Sequence, residues 1–531
     1  MSALLLALAV FGAVWLLRRP ILRKLVRWRL GPYRVTVNRV DPAAPRSLPS
    51  PRRVAVIGGG LAGIAAATTL GARGYGVTLF EAKSYLGGKV GSWPVELEPG
   101  RTEWVSHGFH AFFRHYYNLN RFLVGLGVRA RFKAISDYRI LLPRGGEISF
   151  GELENTPVLN LLAMAKAGLY RLSEVMRAPT RDAMSVFLAY DPKLTPERLD
   201  ALSFAEFDRR AQLPPRLKMA FNTFARAFFA DEERLSMAEL VKGFHSYYLG
   251  HDGGLVYDYP SQDYEAAFLE RIRAQLKAAG VVLALSTPVN SLAAVGPGFE
   301  VNGEGFDEVV LAADVVGVRA ILGAAKGLVG LDPRLLSVAS GQRYAVLRLW
   351  LDRAPRTGLP PFVITERHRL LDAIAFYDRT EAESAAWVQA HGGSVIELHC
   401  YAVPDALADD EVSRLLFEEL FVFLPELEGA AVRHQHFSLR SDFAAFHVGM
   451  AARRPGTDSG VNGLHCAGDW VSLPFPAMLM EAAFSSGLVA ANRILARDGL
   501  QEALVESVPL KGLLAGLPQS PATARLLEVR R

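Results

Sequence analysis

RRVAVIGGGLAGIAAATTLGARGYGVTLFEAKSYLGGK, Arg52 to Lys89, decides how this chain folds. Val54 to Ile57 is a short apolar run of the kind a buried parallel strand carries. Gly58, Gly60 and Gly63 follow in G-x-G-x-x-G spacing, and an Ala-rich helical stretch runs to about Leu70. A second apolar strand, Val77 to Phe80, ends on Glu81. Gly58 permits a tight turn, Gly60 lets backbone approach a pyrophosphate, and Gly63 lets helix lie close on strand. The helix start offers free N–H groups and a positive dipole end to phosphate. Glu81, eighteen residues past Gly63, is placed to accept hydrogen bonds from a ribose diol. Three spaced glycines recur by chance, but strand, glycines, helix, strand and acid together predict a dinucleotide site.

The 531 residues exceed one ordinary core, so two or three interlocked domains are expected. Half the residues are hydrophobic and mean hydropathy is +0.16, high for a freely soluble protein. Cys400 and Cys466 stand far apart without metal-ligand spacing, which fits a reducing compartment. The net charge of +5 is misleading. Arg18, Arg19, Arg23, Lys24, Arg27, Arg29, Arg34 and Arg39 all precede the first acid, Asp41, and without these eight the remainder carries −3. A nucleic-acid partner is therefore rejected.

That basic cluster follows the uncharged run ALLLALAVFGAVWLL, Ala3 to Leu17. As a helix, residues 1–17 would extend roughly 25 Å, at the short end for a bilayer crossing. A retained anchor with the body in the cytoplasm is the leading expectation. A helix lying in the membrane plane and a cleaved signal peptide are the alternatives. No Lys or Arg precedes the run and no small-x-small cleavage site follows it. Pro42, Pro45, Pro49 and Pro51 then read as a linker.

Beyond Glu81, YLGGK (Tyr85 to Lys89) adds a second glycine pair, Gly87 and Gly88, before a basic residue. This extension resembles the fingerprint of the FAD-containing amine oxidase and carotene desaturase superfamily. NGLHCAGDWVSLPFPAMLMEAAFSSGLVAANRIL, from Asn462, resembles that superfamily's closing motif. The resemblance implies FAD as cofactor, held by Gly58, Gly60, Leu61, Ala62, Gly63, Glu81, Ala82, Gly87, Gly88, Lys89, Val289, Gly468, Asp469 and Met480. Gly468 and Asp469 would meet the ribityl-phosphate region, Val289 the adenine, and the helix start near Met480 the isoalloxazine. A helix N-terminus there would favour the negatively charged reduced ring.

The fold class implied is α/β. A Rossmann-like FAD-binding domain on a parallel sheet (52–104, 276–329 and 456–498) carries an inserted substrate domain (105–275 and 330–455) of mixed sheet and helices. An N-terminal hydrophobic helix and basic flank (1–30), a linker (31–51) and a tail (499–531) complete the division. The first insertion is helical in pattern; the second carries YAVLRLWLDRAP and SVIELHCYAV, apolar runs suited to strands of a mixed sheet.

SHGFHAFFRHYYNLN, Ser106 to Asn120, packs three histidines and five aromatic rings into fifteen positions. A metal site on His107, His110 and His115 lacks a completing carboxylate or cysteine, and none is expected. Core packing and the wall of an apolar cavity both remain open. The stretch resembles a signature of the ring-aromatising carotenoid synthases, a carotene desaturase branch. So do ARAFFADEERLSMAELVKGFHSYYLGHDGGLVYDYP (from Ala225), FYDRTEAESAAWVQAHGGSVIELHCYAV (from Phe376) and VESVPLKGLLAGL (from Val505).

That resemblance implies desaturation of a carotenoid β-ionone ring to an aromatic ring, by hydride transfer to flavin and methyl migration. Orientation, water exclusion and cation tolerance by aromatic faces would be the protein's tasks. Phe109, Phe112 and Phe113 are candidate substrate walls, and His110 is a candidate for proton acceptor; no catalytic residue is otherwise assigned. The implied partners are a lipid-soluble isoprenoid, membrane lipid, and a quinone or oxygen as electron acceptor. Another isoprenoid oxidoreductase (an acyclic carotene desaturase or hydroxysqualene dehydroxylase) and an amine oxidase stand as alternatives. PFPAMLMEAAFSSG, from Pro474, reads closer to the general carotene desaturases. Oligomeric state is open.

Overall fold

The computed structural model describes residues 20–143, 145–149, 154–177, 179–253 and 255–528. Five parallel strands form its first sheet, in spatial order Val282–Ala284, Gly76–Phe80, Arg53–Ile57, Glu308–Leu311 and Leu464–Cys466. Ile57 pairs with Phe80 and Leu311, and Leu311 with Cys466, so the strands end level. Their carboxyl edge therefore aligns Gly58, Glu81, Ala312 and Ala467, segments far apart in sequence. That edge is where open α/β sheets take ligands.

The strands are largely apolar because both faces are covered, one by helices and the other by a meander and helix Val315–Ala324. Helix Leu61–Gly71 lies against the sheet, and the closing helix Leu479–Arg497 crosses it. The crossing is backbone-close: a Cβ on Gly487 would come within 2.1 Å of the Ala62 carbonyl oxygen. The antiparallel meander, Leu292–Val295, Gly298–Val301 and Glu304–Phe306, precedes the fourth strand.

A seven-stranded mixed sheet forms the second layer, in order Val432–Arg440, Tyr344–Leu351, Ser394–Cys400, Ala373–Phe376, Phe362–Thr365, Arg139–Leu141 and Glu147–Ser149. The two runs read as alternating strands are buried along their whole length. Helix Asp409–Phe423 covers one face through Leu416 and Leu420 against Leu347 and Leu398. The other face presents Val346, Arg348, Glu397 and His399 inward, following the period of two. The last two strands come from the first insertion, which reads as helical in pattern; at three residues each they are too short to show alternation.

The rest of that insertion is helical apart from a small antiparallel sheet of Phe112–Phe113, Tyr257–Pro260 and Phe132–Ala134. Ser203 caps helix Phe204–Ala211 by accepting from the Glu206 N–H at 3.2 Å, and Ser236 caps Met237–Phe244 through Ala238 at 3.1 Å. Phe187 stacks on Phe221 with centroids 4.4 Å apart, within a core that includes Phe207 and Phe244.

The apolar run Ala3 to Leu17 lies outside the described residues. Residues 20–30 are helical, and among the described residues no helix is long and apolar enough to cross a membrane. Residues 31–51, read as a linker, are tied down along their length. Val35–Thr36 pairs antiparallel with Glu506–Ser507, Val37 N–H bonds to Val505, and Leu48 N–H bonds to Arg73. The prolines shape this strap without freeing it, because the tail runs alongside and supplies the missing partners.

Candidate active site

The glycine loop works as three separate devices. Gly58 has φ +111°, and a Cβ there would sit 2.6 Å from the Ala312 carbonyl oxygen, so no other residue fits. A Cβ on Gly63 would lie 1.9 Å from the Gly58 carbonyl, which shows how closely the helix rides on its strand. Gly60 differs: nothing lies within 3.8 Å of its would-be Cβ, the nearest atom being Gly88 Cα at 3.9 Å, and it faces a cavity. Glu81 is fixed at that cavity by its carboxylate, which accepts from Gly59 N–H and Lys83 N–H, each at 2.7 Å.

The second glycine pair completes the cradle. Gly87 N–H donates to Gly59 O at 2.8 Å, and Gly87 and Gly88 both take positive φ. Lys89 then reaches across to Asp469, 3.0 Å away, and lies 4.3 Å over the Phe443 ring. Gly468 at φ +150° is anchored by its N–H to Ser486 Oγ at 2.7 Å. The closing helix starts beyond it at Leu479, whose φ of +49° is unusual for leucine. Val289, Ala82, Leu61, Ala62 and Met480 line the same cavity, of about 710 Å³. Among the residues expected to hold the cofactor, Gly63 alone does not face it; its contribution is packing.

From this glycine-walled end the cavity continues between the mixed sheet and the helical insertion. Phe109 and Phe113 line it. Phe112 does not: it is 1% exposed and packs edge-on against Phe132 and Phe268 at 5.0 and 5.7 Å. Phe112–Phe113 is a two-residue strand, and neighbours on a strand point to opposite faces. The expectation of Phe112 as a substrate wall is therefore corrected to core. Farther along, Met164, Leu169, Leu217, Phe221, Phe224, Phe244 and Tyr248 make the walls.

Of the three histidines in the aromatic stretch, His107 and His110 line the cavity and His115 does not. His107 stands 3.3 Å from Tyr344 Oη and edge-on to Trp93, and burial pushes its imidazole down to about 2. His115 is buried and stacks on His251 at 4.1 Å. His110 lines the cavity with Nδ1 2.7 Å from the Gly108 carbonyl. A carbonyl only accepts, so Nδ1 carries the proton and Nε2 keeps its lone pair. Burial lowers the His110 pKa to about 4, so the ring is neutral near pH 7. Tyr264 Oη accepts from the His110 backbone N–H at 2.9 Å and holds the loop.

Beneath this loop lies a charged cluster that sequence inspection missed. Arg348 is fully buried, 2.8 Å from Glu397 and 3.6 Å from Glu381, with its guanidinium 3.6 Å over the Tyr377 ring. Glu397 also accepts from Phe109 N–H at 3.1 Å and faces His399, which lines the cavity, at 3.1 Å. Burial alone would raise Glu397, but Arg348 and His399 together outweigh it and pull the carboxyl to about 2. Glu381, buried and farther from Arg348, is pushed up to about 8. A second missed link joins the aromatic stretch to the closing helix. Glu481 accepts from Asn118 N–H and Nδ2 at 2.8 Å and from Leu119 N–H at 3.1 Å. An arginine inside VLRLWL and a glutamate inside MLMEAAF were the signals, since neither is buried without partners.

Residues 61–495 match the model of the flavin-containing amine oxidoreductases. The chain belongs to that family. FAD is its cofactor, and the protein is an FAD-dependent oxidoreductase. The carotenoid phi-ring synthase of Streptomyces griseus is 36% identical over 488 residues, covering 89% of this chain and 93% of the relative. The enzyme of the same name from Chlorobaculum tepidum is 26% identical, covering 88% and 92%. Among solved structures, putrescine oxidase shares the fold with TM-score 0.61 at 17% identity, covering 84% of this chain and 99% of that one. Cyclohexylamine oxidase from Brevibacterium oxydans does so with TM-score 0.55 at 15% identity, covering 84% and 99%.

The flavoenzyme's residues fit that cofactor. The open space over Gly60 suits a pyrophosphate, Glu81 a ribose diol, and Lys89 with Asp469 the chain beyond it. Leu479, Met480 and Ala483, at the start of helix Leu479–Arg497, line the cavity beyond that pair.

Proposed function

We propose that this flavoenzyme desaturates a carotenoid, converting a β-ionone ring to an aromatic ring with migration of a methyl group. One observation carries the reading: the cavity that begins at the glycine cradle continues into a long, largely aromatic and aliphatic channel. Such a channel suits a hydrocarbon better than an amine, which needs polar partners to offset desolvation. The likeness of nearly the whole chain to two carotenoid phi-ring synthases supports the same substrate class.

When bound, FAD supplies the hydride acceptor. Aromatising one ring removes two hydrides and two protons, so two rounds are needed with reoxidation between them. In each, the cation left on the substrate sheds a proton, and in one a methyl group shifts before that loss. The proposed acceptor is His110 Nε2, the one ring nitrogen left free by the Gly108 bond. A base of low pKa suffices, because a carbocation is a very strong acid. Phe109, Phe113 and Tyr257 would steady the cation with their ring faces and keep water out. The Arg348–Glu397 pair fixes Phe109 through its N–H and so positions the loop. A membrane quinone or oxygen is the proposed electron acceptor, and the N-terminal run the proposed membrane anchor, with the body in the cytoplasm.

Expression in a β-carotene-producing bacterium tests the proposal. Pigments with an aromatic end group are expected. Unchanged β-carotene, with FAD-loaded protein present, would contradict it.

A further inference from the structure

The helix of residues 20–30 has two apolar faces. Leu22, Val26 and Leu30, four apart, turn toward the body, and Val26 is 3% exposed. Ile21, Leu25 and Trp28 share the opposite face and stand 49%, 56% and 84% exposed. Nothing in a monomer's interior calls for that second face. The basic residues of this helix do not fan out as a free flank. Arg23 Nε bonds to Thr156 Oγ1 at 3.1 Å and Arg29 to the Ala515 carbonyl at 2.6 Å, clamping the helix to the body.

Thr156 leads directly into helix Leu159–Lys166, since its carbonyl accepts from Asn160 N–H at 2.9 Å. This second helix is a partition. Leu161 and Met164 line the internal cavity, whereas Leu162 is 42% exposed, followed by Leu172 at 47% and Met176 at 61%. The outward apolar residues thus back onto the wall of the channel. Residues 20–30 and 159–177 hold seven Lys and Arg against one acid, Glu174. Lys24, Lys166, Arg171 and Arg177 are exposed and form no ion pair among the described residues.

We infer that Ile21, Leu25, Trp28, Leu162, Leu172 and Met176 form a docking face for an anionic lipid surface, which sets the channel's helical end against the membrane. Aliphatic side chains with a tryptophan, rimmed by unpaired cations, match the interface of an acidic bilayer in both depth and charge. The use of the face, drawing substrate out of lipid, rests on the carotenoid reading; the lipid contact itself does not.

Cysteine labelling tests the contact without any turnover. Both native cysteines are buried, so single surface cysteines in the full chain take a polarity-sensitive fluorophore selectively. Trp28→Cys, Leu172→Cys and Met176→Cys are compared with Val329→Cys, 88% exposed beside the parallel sheet. On phosphatidylglycerol-containing vesicles, positions 28, 172 and 176 should shift to the blue and be quenched at least about twofold by spin-labelled lipid. Position 329 should do neither. Salt near 1 M, where screening reaches about 3 Å, should weaken the effect. A response at 28 without one at 172 and 176 would overturn the inference, leaving the N-terminal run alone in contact. So would equal responses at 329, or a blue shift without vesicles, which would mark a second protein copy.

Discussion

Lys89 Nζ stands 3.0 Å from Asp469 Oδ2, joining residues 380 apart in sequence at one point of the cavity wall. Both side chains are mostly shielded, so the pair closes the cofactor site more firmly than a surface ion pair would. Lys89→Met leaves Asp469 unpaired beside the cofactor. A loss of about 2 kcal/mol, roughly 30-fold weaker FAD binding, is expected. Titration of apoprotein with FAD measures it.

The glycines separate by what they touch. Gly63→Ala drives a methyl into the Gly58 carbonyl, and Gly487→Ala drives one into Ala62, so both should lower the melting temperature and abolish FAD retention. Gly60→Ala meets no protein atom closer than 3.9 Å and should fold normally while binding FAD poorly. Thermal unfolding of apoprotein beside flavin stoichiometry distinguishes the two classes.

Phe112 and Phe113 make a matched pair. Phe112→Ala empties a core site and should cost about 3–5 kcal/mol of stability. Phe113→Ala opens the channel wall and should change KM or product pattern with a smaller stability loss. Chemical denaturation and pigment turnover on the same preparations check both.

Much of this was legible beforehand because the FAD cradle is local chemistry. A tight turn at Gly58 and an acid at Glu81 leave their mark within a few residues. The division of Phe112 from Phe113 was not, because a two-residue strand carries no period. Tyr344–Leu351 reads as a strand in sequence, yet its inward face is defined only by the helix packed on the other side. Arg348, Glu397 and Glu481 went unassigned because their partners are distant: an isolated charge in an apolar run announces burial without naming what satisfies it. The linker reading of 31–51 failed for the same reason, since its partner strand lies at Glu506–Ser507.

His110 yields a pH prediction with a definite sign. Burial holds its pKa near 4, so Nε2 accepts protons above that value and loses the ability as pH falls through it. In the unfolded chain the ring takes its proton near 6.5, so the same group costs stability progressively as pH drops from 6.5 toward 4. The pH profile of kcat/KM should be flat near neutrality with an acid limb below about pH 5. His110→Gln should keep FAD and lower turnover by roughly 100-fold, within the usual range for a general base. Full turnover by a flavin-loaded variant would remove His110 from the mechanism.

Arg348→Ala strands the buried Glu397 carboxylate, and a destabilisation of about 3–5 kcal/mol is expected from uncompensated burial. Arg348→Lys should recover part of it, because a point charge cannot reproduce the guanidinium's stacking on Tyr377. Denaturation midpoints of the three proteins give the comparison.

A single measurement bears most directly on the proposal that flavin and hydrocarbon share one cavity: the absorbance of the purified yellow protein, mixed without oxygen with β-carotene in lipid vesicles. Bleaching of the oxidised flavin band, with desaturated-ring product recovered in proportion, is the result this account requires. A band that persists although the protein is fully loaded with FAD would contradict it.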